Sequence, residues 1–236
     1  MSVKYSWSVE RVSSSARVSV KANRLEEILF AAAECFQQQG FAATSIDTVA
    51  RHLGATKGRI YHYFPSKMDL FNAVRDRAME LAFEAIKEGY ESTRPTEVRL
   101  GMMVRGQALG MMQYHSFMQV LLDGLRMRRY GATTEFQRQA MALHLEQRDA
   151  FEAMYREVLS KGHEEGLFKI GRMSITLRSF VISANSPVFW YQKRDDDDQA
   201  KLEAIADEIV AFAMRGLGVD WPDDEFLHSN QVRQTT

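Results

Sequence analysis

Between Gly40 and Phe71 the chain reads GFAATSIDTVARHLGATKGRIYHYFPSKMDLF, and this stretch constrains the fold more than the rest together. Gly40 suits the end of an apolar helix, whose residues Leu25, Ile28, Leu29, Ala32 and Phe36 recur at helical spacing from about Asn23, itself a plausible N-cap. Thr44 is an N-cap candidate with Asp47 in the capping-box position, and the helix it opens buries Ile46, Val49, Ala50 and Leu53. Gly54 supplies a turn. Thr56 then caps a very short helix that must end before Pro65. Ser66 with Asp69 forms a further capping box, so a fourth helix starts at Lys67 and runs to about Tyr90.

Two short helices joined by a tight turn specify a helix-turn-helix. In the second, Ile60 and Phe64 are four residues apart and face inward together. That leaves Lys57, Arg59, Tyr61, His62 and Tyr63 to other faces, with Gly58 allowing close approach. Lysine and arginine donate to guanine edges in a major groove, while tyrosine and histidine reach phosphates or pack on a thymine methyl. Thr44 and Ser45 open the preceding helix, where hydroxyls and free backbone N–H groups suit a phosphate. Lys67 stands where a flanking phosphate would lie. The expected DNA-contacting set is Thr44, Ser45, Thr56, Lys57, Gly58, Arg59, Tyr61, His62, Tyr63 and Lys67.

From Arg24 to Arg75 the chain strongly resembles the DNA-binding domain of the TetR family of transcriptional regulators. The family's run is Gly-x-x-x-Thr-Ser/Thr, then Ile-Ala, then Gly-Val-Ser-Lys-Gly-x-Leu-Tyr-x-Tyr-Phe-x-x-Lys-x-x-Leu. Lys57, Gly58, Tyr61, Tyr63, Phe64, Lys67 and Leu70 occupy its hallmark positions. Val49-Ala50 replaces Ile-Ala, Ala55-Thr56 replaces Val-Ser, and Ile60 replaces Leu. Arg59 stands where small or polar residues are common. The resemblance implies an all-helical body that binds an effector and pairs with a second copy through its last two long helices. It also implies a repressor that reads a palindromic operator as a homodimer and is released by a small apolar molecule.

The remaining pattern is helical throughout, near 96–115, 117–129, 134–165, 172–191 and 199–216, with Gly131, Gly166, Gly171 and Pro187 as punctuation. The fold class is therefore all-α: a helix-turn-helix domain over 23–75, a helical effector-binding and dimerisation domain over 76–218, and a loosely packed tail over 219–236. Residues 1–22 read as a flexible extension without stable structure, or as an arm lying along DNA. The acidic run Asp195–Asp198 reads as a loop leading into a helix N-terminus rather than as a metal site. Methionines 102, 103, 111, 112, 118 and 127 crowd two helices, which fits either an adaptable apolar pocket or an ordinary core. The expected pocket set is Met102, Arg105, Met111, Tyr114, Phe117, His144, Arg148, Phe151 and Arg178. One cation among them would orient a carboxylate or thioester such as an acyl-CoA.

Charge supports the division. Met1 to Arg75 holds ten basic and six acidic residues, against twenty and twenty-five in the remainder. A basic head on an acidic body suits DNA binding at one end only. The single cysteine, Cys35, sits in an apolar pattern that suits packing, and one cysteine excludes an intrachain disulfide. No stretch has the length and apolarity of a membrane span, and no signal-peptide pattern precedes the first helix, so a cytoplasmic location is expected. Nucleophile-elbow, P-loop, dinucleotide-glycine and His-Glu-x-x-His motifs are absent, so neither a catalytic group, a metal nor a cofactor is expected. A DNA-binding regulator without small-molecule input, whether activator or architectural dimer, remains the alternative, and an enzyme a remote one.

Overall fold

The structure is a computed structural model. It describes the backbone of residues 16–127, 135–194 and 196–221 and, within these, side chains from residue 23 onward apart from 125–127, 135–137 and 140. Among the described residues ten helices follow in order: α1 Ala16–Ala43, α2 Ile46–His52, α3 Lys57–Tyr61, α4 Lys67–Glu91, α5 Thr96–Gln113, α6 His115–Met127, α7 Glu135–Glu164, α8 Met173–Asn185, α9 Pro187–Trp190 and α10 Gln199–Gly216. Among the described residues none is strand, and no helix is long and apolar enough to cross a membrane. The readings of residues 1–15, Gly131, Asp195 and 222–236 lie outside the described residues.

Helix boundaries differ from the sequence reading where local chemistry left a choice. α1 begins at Ala16, so Asn23 lies within the helix instead of capping it. Gly40 breaks α1 at φ +75°, a left-handed conformation that costs glycine nothing. The cap of α2 is Ser45, not Thr44: Ser45 Oγ accepts from Thr48 N–H at 3.1 Å. The Thr44 hydroxyl turns inward and donates to the carbonyls of Gly40 at 2.8 Å and Cys35 at 3.1 Å. Thr56, Ser66 and Asp198 cap α3, α4 and α10. The helix expected over 172–191 is two. Pro187 lacks the N–H that would continue α8 and takes the first position of α9. Trp221, expected in a loose tail, is buried and lies over Gly101 of α5.

The head is built on Phe36, Ile46, Val49, Ile60, Leu70 and Phe71, all buried. Phe71 of α4 meets Phe36 edge-on at 5.2 Å and Phe41 at 4.8 Å. Cys35 packs in this core, and burial pushes its thiol pKa up. α4 then leaves the head and packs against α5, α6 and α7, while α1 also packs on α6, where Phe30 meets Phe117 at 4.9 Å. α5 runs through the middle of the body, in contact with α4, α7, α8 and α10.

α4 and α5 approach through small residues. A Cβ on Gly106 would stand 1.9 Å from the Ala85 carbonyl oxygen, so the helices would have to part to admit it. Gly106→Ala is therefore expected to cost roughly 2 kcal/mol or more of stability, the range of core overpacking. It should appear as a lower urea midpoint with an unchanged m-value; an unchanged midpoint would show that this contact yields easily.

Candidate nucleic-acid interface and body cavity

α3 is seated by Ile60, which has no exposed surface, and by Phe64 just beyond its end, 8% exposed. Thr56 Oγ1 accepts from Arg59 N–H at 3.3 Å and fixes the start. Lys57, Gly58 and His62 consequently face solvent, Tyr61 is half exposed and Tyr63 half buried. Two cations of this helix are oriented by acids of its neighbours. Lys57 Nζ lies 3.3 Å from Asp47 of α2, and Arg59 reaches Glu27 of α1 at 2.7 Å. Pairs this exposed add little stability, so their effect is to hold the side chains in place.

Two residues of the expected DNA set stand differently. Thr44 is 1% exposed with its hydroxyl committed inward, so the side chain is not presented at the surface. Lys67 donates through Nζ to the carbonyls of Phe41 at 2.7 Å and Ala42 at 3.2 Å and lies 4.4 Å over the Phe41 ring. It ties the start of α4 to the turn behind Gly40, leaving one of its three N–H groups for another partner. Ser45 remains exposed, but its hydroxyl is shared with Thr48.

In the body, α4, α5, α6, α7, α8 and α9 enclose a cavity of about 370 Å³, within the lower range of small-molecule sites. Met111, His144, Arg148, Phe151 and Arg178 of the expected pocket set line it. The other four do not. Arg105 is a strut between α5 and α10, 2.6 Å from Asp207 and 3.2 Å from Glu203. Phe117 packs on Phe30. Met102 lies at the close contact of α5 with Gly89, and Tyr114 ends α5. Sequence reading missed Met79 and Ala82 of α4, Leu121 and Leu122 of α6, Val181 and Ile182 of α8, and above all Gln107. The signal for Gln107 was present: it falls between Met103 and Met111 at four-residue spacing, a polar group on a buried stripe.

Gln107 is 1% exposed, and its oxygen and its nitrogen each have a partner. The Tyr155 hydroxyl donates to its Oε1, and its Nε2 donates to Asn185 Oδ1. Burial of Tyr155 keeps that hydroxyl protonated. The chain of bonds joins α7, α5 and α8 along one wall of the cavity. The exposed part of its lining is mixed: Ile182 and Phe189 are each 61% exposed, and Arg178 is exposed beside them. Among the described residues no cluster of His, Cys, Asp and Glu could hold a metal ion.

A buried helix-turn-helix core with an outward aromatic and basic helix, joined to a helical body with an apolar cavity, defines a one-component regulator architecture. The comparisons agree. Residues 28–74 match the model of the bacterial regulatory proteins of the tetR family, and residues 93–217 match that of the tetracyclin repressor-like C-terminal domain. The chain belongs to the TetR family of transcriptional regulators. It is 22% identical over 209 residues to the HTH-type transcriptional regulator YfiR of Bacillus subtilis, covering 85% of this chain and 95% of that one. It is 26% identical over 155 residues to the HTH-type transcriptional repressor KstR2 of Mycobacterium tuberculosis, covering 65% and 74%. The solved structure of the ketosteroid regulator KstR2 superposes with a TM-score of 0.69 at 20% identity, over 82% of this chain and 94% of that one. AibR in complex with isovaleryl coenzyme A and operator DNA superposes with a TM-score of 0.64 at 22% identity, over 80% and 97%.

His144 provides a pH signature of the cavity. It is 3% exposed, and burial, reinforced by the positive charges of Arg75 and Arg148, lowers its pKa from 6.5 to about 4. The folded protein thus resists protonating this ring, while the unfolded chain accepts a proton below about pH 6.5. Stability from this group is complete above that pH and is lost as the pH falls toward 4. Between pH 7 and pH 4.5 the wild type should lose roughly 2 kcal/mol more unfolding free energy than His144→Leu, measured by urea titration. Parallel losses in the two proteins would place the ring in water.

Proposed function

We propose that this TetR-family member is a repressor that binds a palindromic operator as a homodimer and is released by a small apolar effector held in the body. The observation that carries the DNA-binding part is the pose of α3. Ile60 and Phe64 fill the core while Lys57, Tyr61 and His62 face out. Arg59, Tyr63 and the hydroxyls of Ser45 and Thr56 border the same surface and complete the proposed contact set. Lys67 acts mainly by holding the turn, with one N–H left for a flanking phosphate. A backbone phosphate has to draw Lys57 from Asp47 and Arg59 from Glu27, which costs little because both pairs are exposed.

Pairing of two copies is supported by large apolar side chains left in solvent on α8, α9 and α10. Ile175 is 57% exposed, Ile182 61%, Trp190 53% and Phe212 70%. Ile182, Trp190 and Phe212 share one groove with Ile205 and Ile209. A face of this kind is unusual on a monomer, and a two-fold dimer matches the two half-sites of a palindrome. The effector part rests on the cavity. AibR, seen with isovaleryl coenzyme A and operator DNA, supports a small-molecule effector by similarity, and KstR2, a repressor, supports the repressor reading.

DNA selected by the purified protein is expected to contain an inverted repeat, occupied by two copies. Phe212→Asp should sediment as a monomer where the wild type sediments as a dimer. On the selected site Tyr61→Ala should weaken binding tenfold or more, and Lys67→Ala should weaken it on all sequences while reducing the salt slope by about one unit. Full affinity in a folded Tyr61→Ala/Lys67→Ala double variant would remove α3 as the reading helix.

A further inference from the structure

On α4 and α7, which pack together, four buried side-chain atoms have no hydrogen-bond partner among the described residues: Asn72 Nδ2, Arg75 Nε, His144 Nδ1 and Gln147 Oε1. Arg75 is 7% exposed and His144 3%. Among the described residues the only hydrogen bond of Arg75 is a long one, 3.5 Å from Nη1 to Asn72 Oδ1, and it forms no ion pair with any of them. Asp76, its neighbour in sequence, acts on it only through space, and the carboxyl pKa of Asp76 is itself pushed up, chiefly by burial. A guanidinium with this much burial and no carboxylate is costly unless something else supplies the charge. Gly124 of α6 admits it: a Cβ there would stand 2.3 Å from Arg75 Nε. Arg75 and Asn72 are not themselves among the lining residues, but His144, which senses the Arg75 charge, lines the cavity and links the uncompensated group to it.

Resting on the reading of the cavity as an effector site, we propose that its inner end is an oxyanion site. Arg75, with the N–H groups of His144 and Asn72, receives the carboxylate of an amphipathic effector whose apolar part lies along Met111, Met118 and Leu121. The ligand class is then an apolar acid rather than a neutral molecule. The alternative source of the same chemistry is free inorganic phosphate. Arg148 does not fill this role, because Glu152 already holds it at 3.2 Å. The site also has a direct route to the head. The Arg75 guanidinium lies 6.0 Å from the Phe71 ring, and Phe71 packs on Phe36 and Phe41 of α1.

The test is calorimetric titration of octanoate, octan-1-ol and inorganic phosphate into the full chain and into Arg75→Met, Gly124→Ala and Arg148→Met. Octanoate is expected to bind the wild type at least tenfold more tightly than octan-1-ol. Arg75→Met, which keeps the chain length and removes the charge, should bring the two within twofold while still binding the alcohol. Without ligand that variant should melt no lower than the wild type, since an uncompensated buried charge has gone. Gly124→Ala, which displaces the guanidinium without removing it, should narrow the gap as well and serves if Arg75→Met does not fold. Equal wild-type affinities for acid and alcohol, a gap that survives in Arg75→Met, or one lost only in Arg148→Met would each overturn the oxyanion site and leave the effector cavity standing. Binding of phosphate alone, abolished in Arg75→Met, would support the anion site and remove the effector reading. No binding of any of the three would overturn both.

Discussion

The structure depends on one packing arrangement, the continuity of α4 from head to body through a single buried core. Its first turns carry Leu70 and Phe71 into the head, and Met79, Ala82 and Ile86 into the body. A helix propagates a tilt along its whole length more cheaply than it breaks its backbone hydrogen bonds. Whatever changes the packing around Met79 and Ala82, which line the cavity, therefore bears on Phe71 and on the α1 residues it touches. Arg77 adds a second tie, 3.1 Å from Glu26 of α1. Head and body are not beads on a linker.

This arrangement gives the proposed control a physical form. Release of DNA needs a ligand that binds one packing of α4 better than another, not merely a ligand that binds tightly. The cavity is suited to that because its wall includes α4 itself. Its opposite wall, on α8 and α9, ends in the exposed Ile182 and Phe189 beside the proposed pairing face. An effector would thus touch both the helix that leads to the DNA and the face expected to meet the second copy.

Much of the head could be read from sequence because short-range chemistry decides it. Four-residue spacing put Ile60 and Phe64 inside, and Thr56 and Ser66 had no rival as caps. Thr44 reads as the cap of α2 in the sequence, but the adjacent Ser45 fills that position. The carbonyls of Gly40 and Cys35, outside the reach of a local pattern, capture the Thr44 hydroxyl instead. Lys67 looked free because its carbonyl partners belong to a turn distant in sequence. In the body, helical periodicity identified which residues are buried but not which neighbour they face. Arg105 and Phe117 were plausible pocket residues on that basis, and each proved to face another helix. Met111, His144, Arg148, Phe151 and Arg178 line the cavity. Arg75 was legible only as one more basic residue of the head, since its isolation is a property of the packed structure.

Control of this kind requires cavity and head to be energetically linked. Reciprocal titration measures this directly: the affinity of a cavity ligand with and without saturating operator, and of the operator with and without saturating ligand. Linkage requires the two ratios to be equal, and the mechanism requires them to exceed about fivefold, with each ligand weakening the other. A ligand that occupies the cavity tightly while leaving operator affinity unchanged would contradict it.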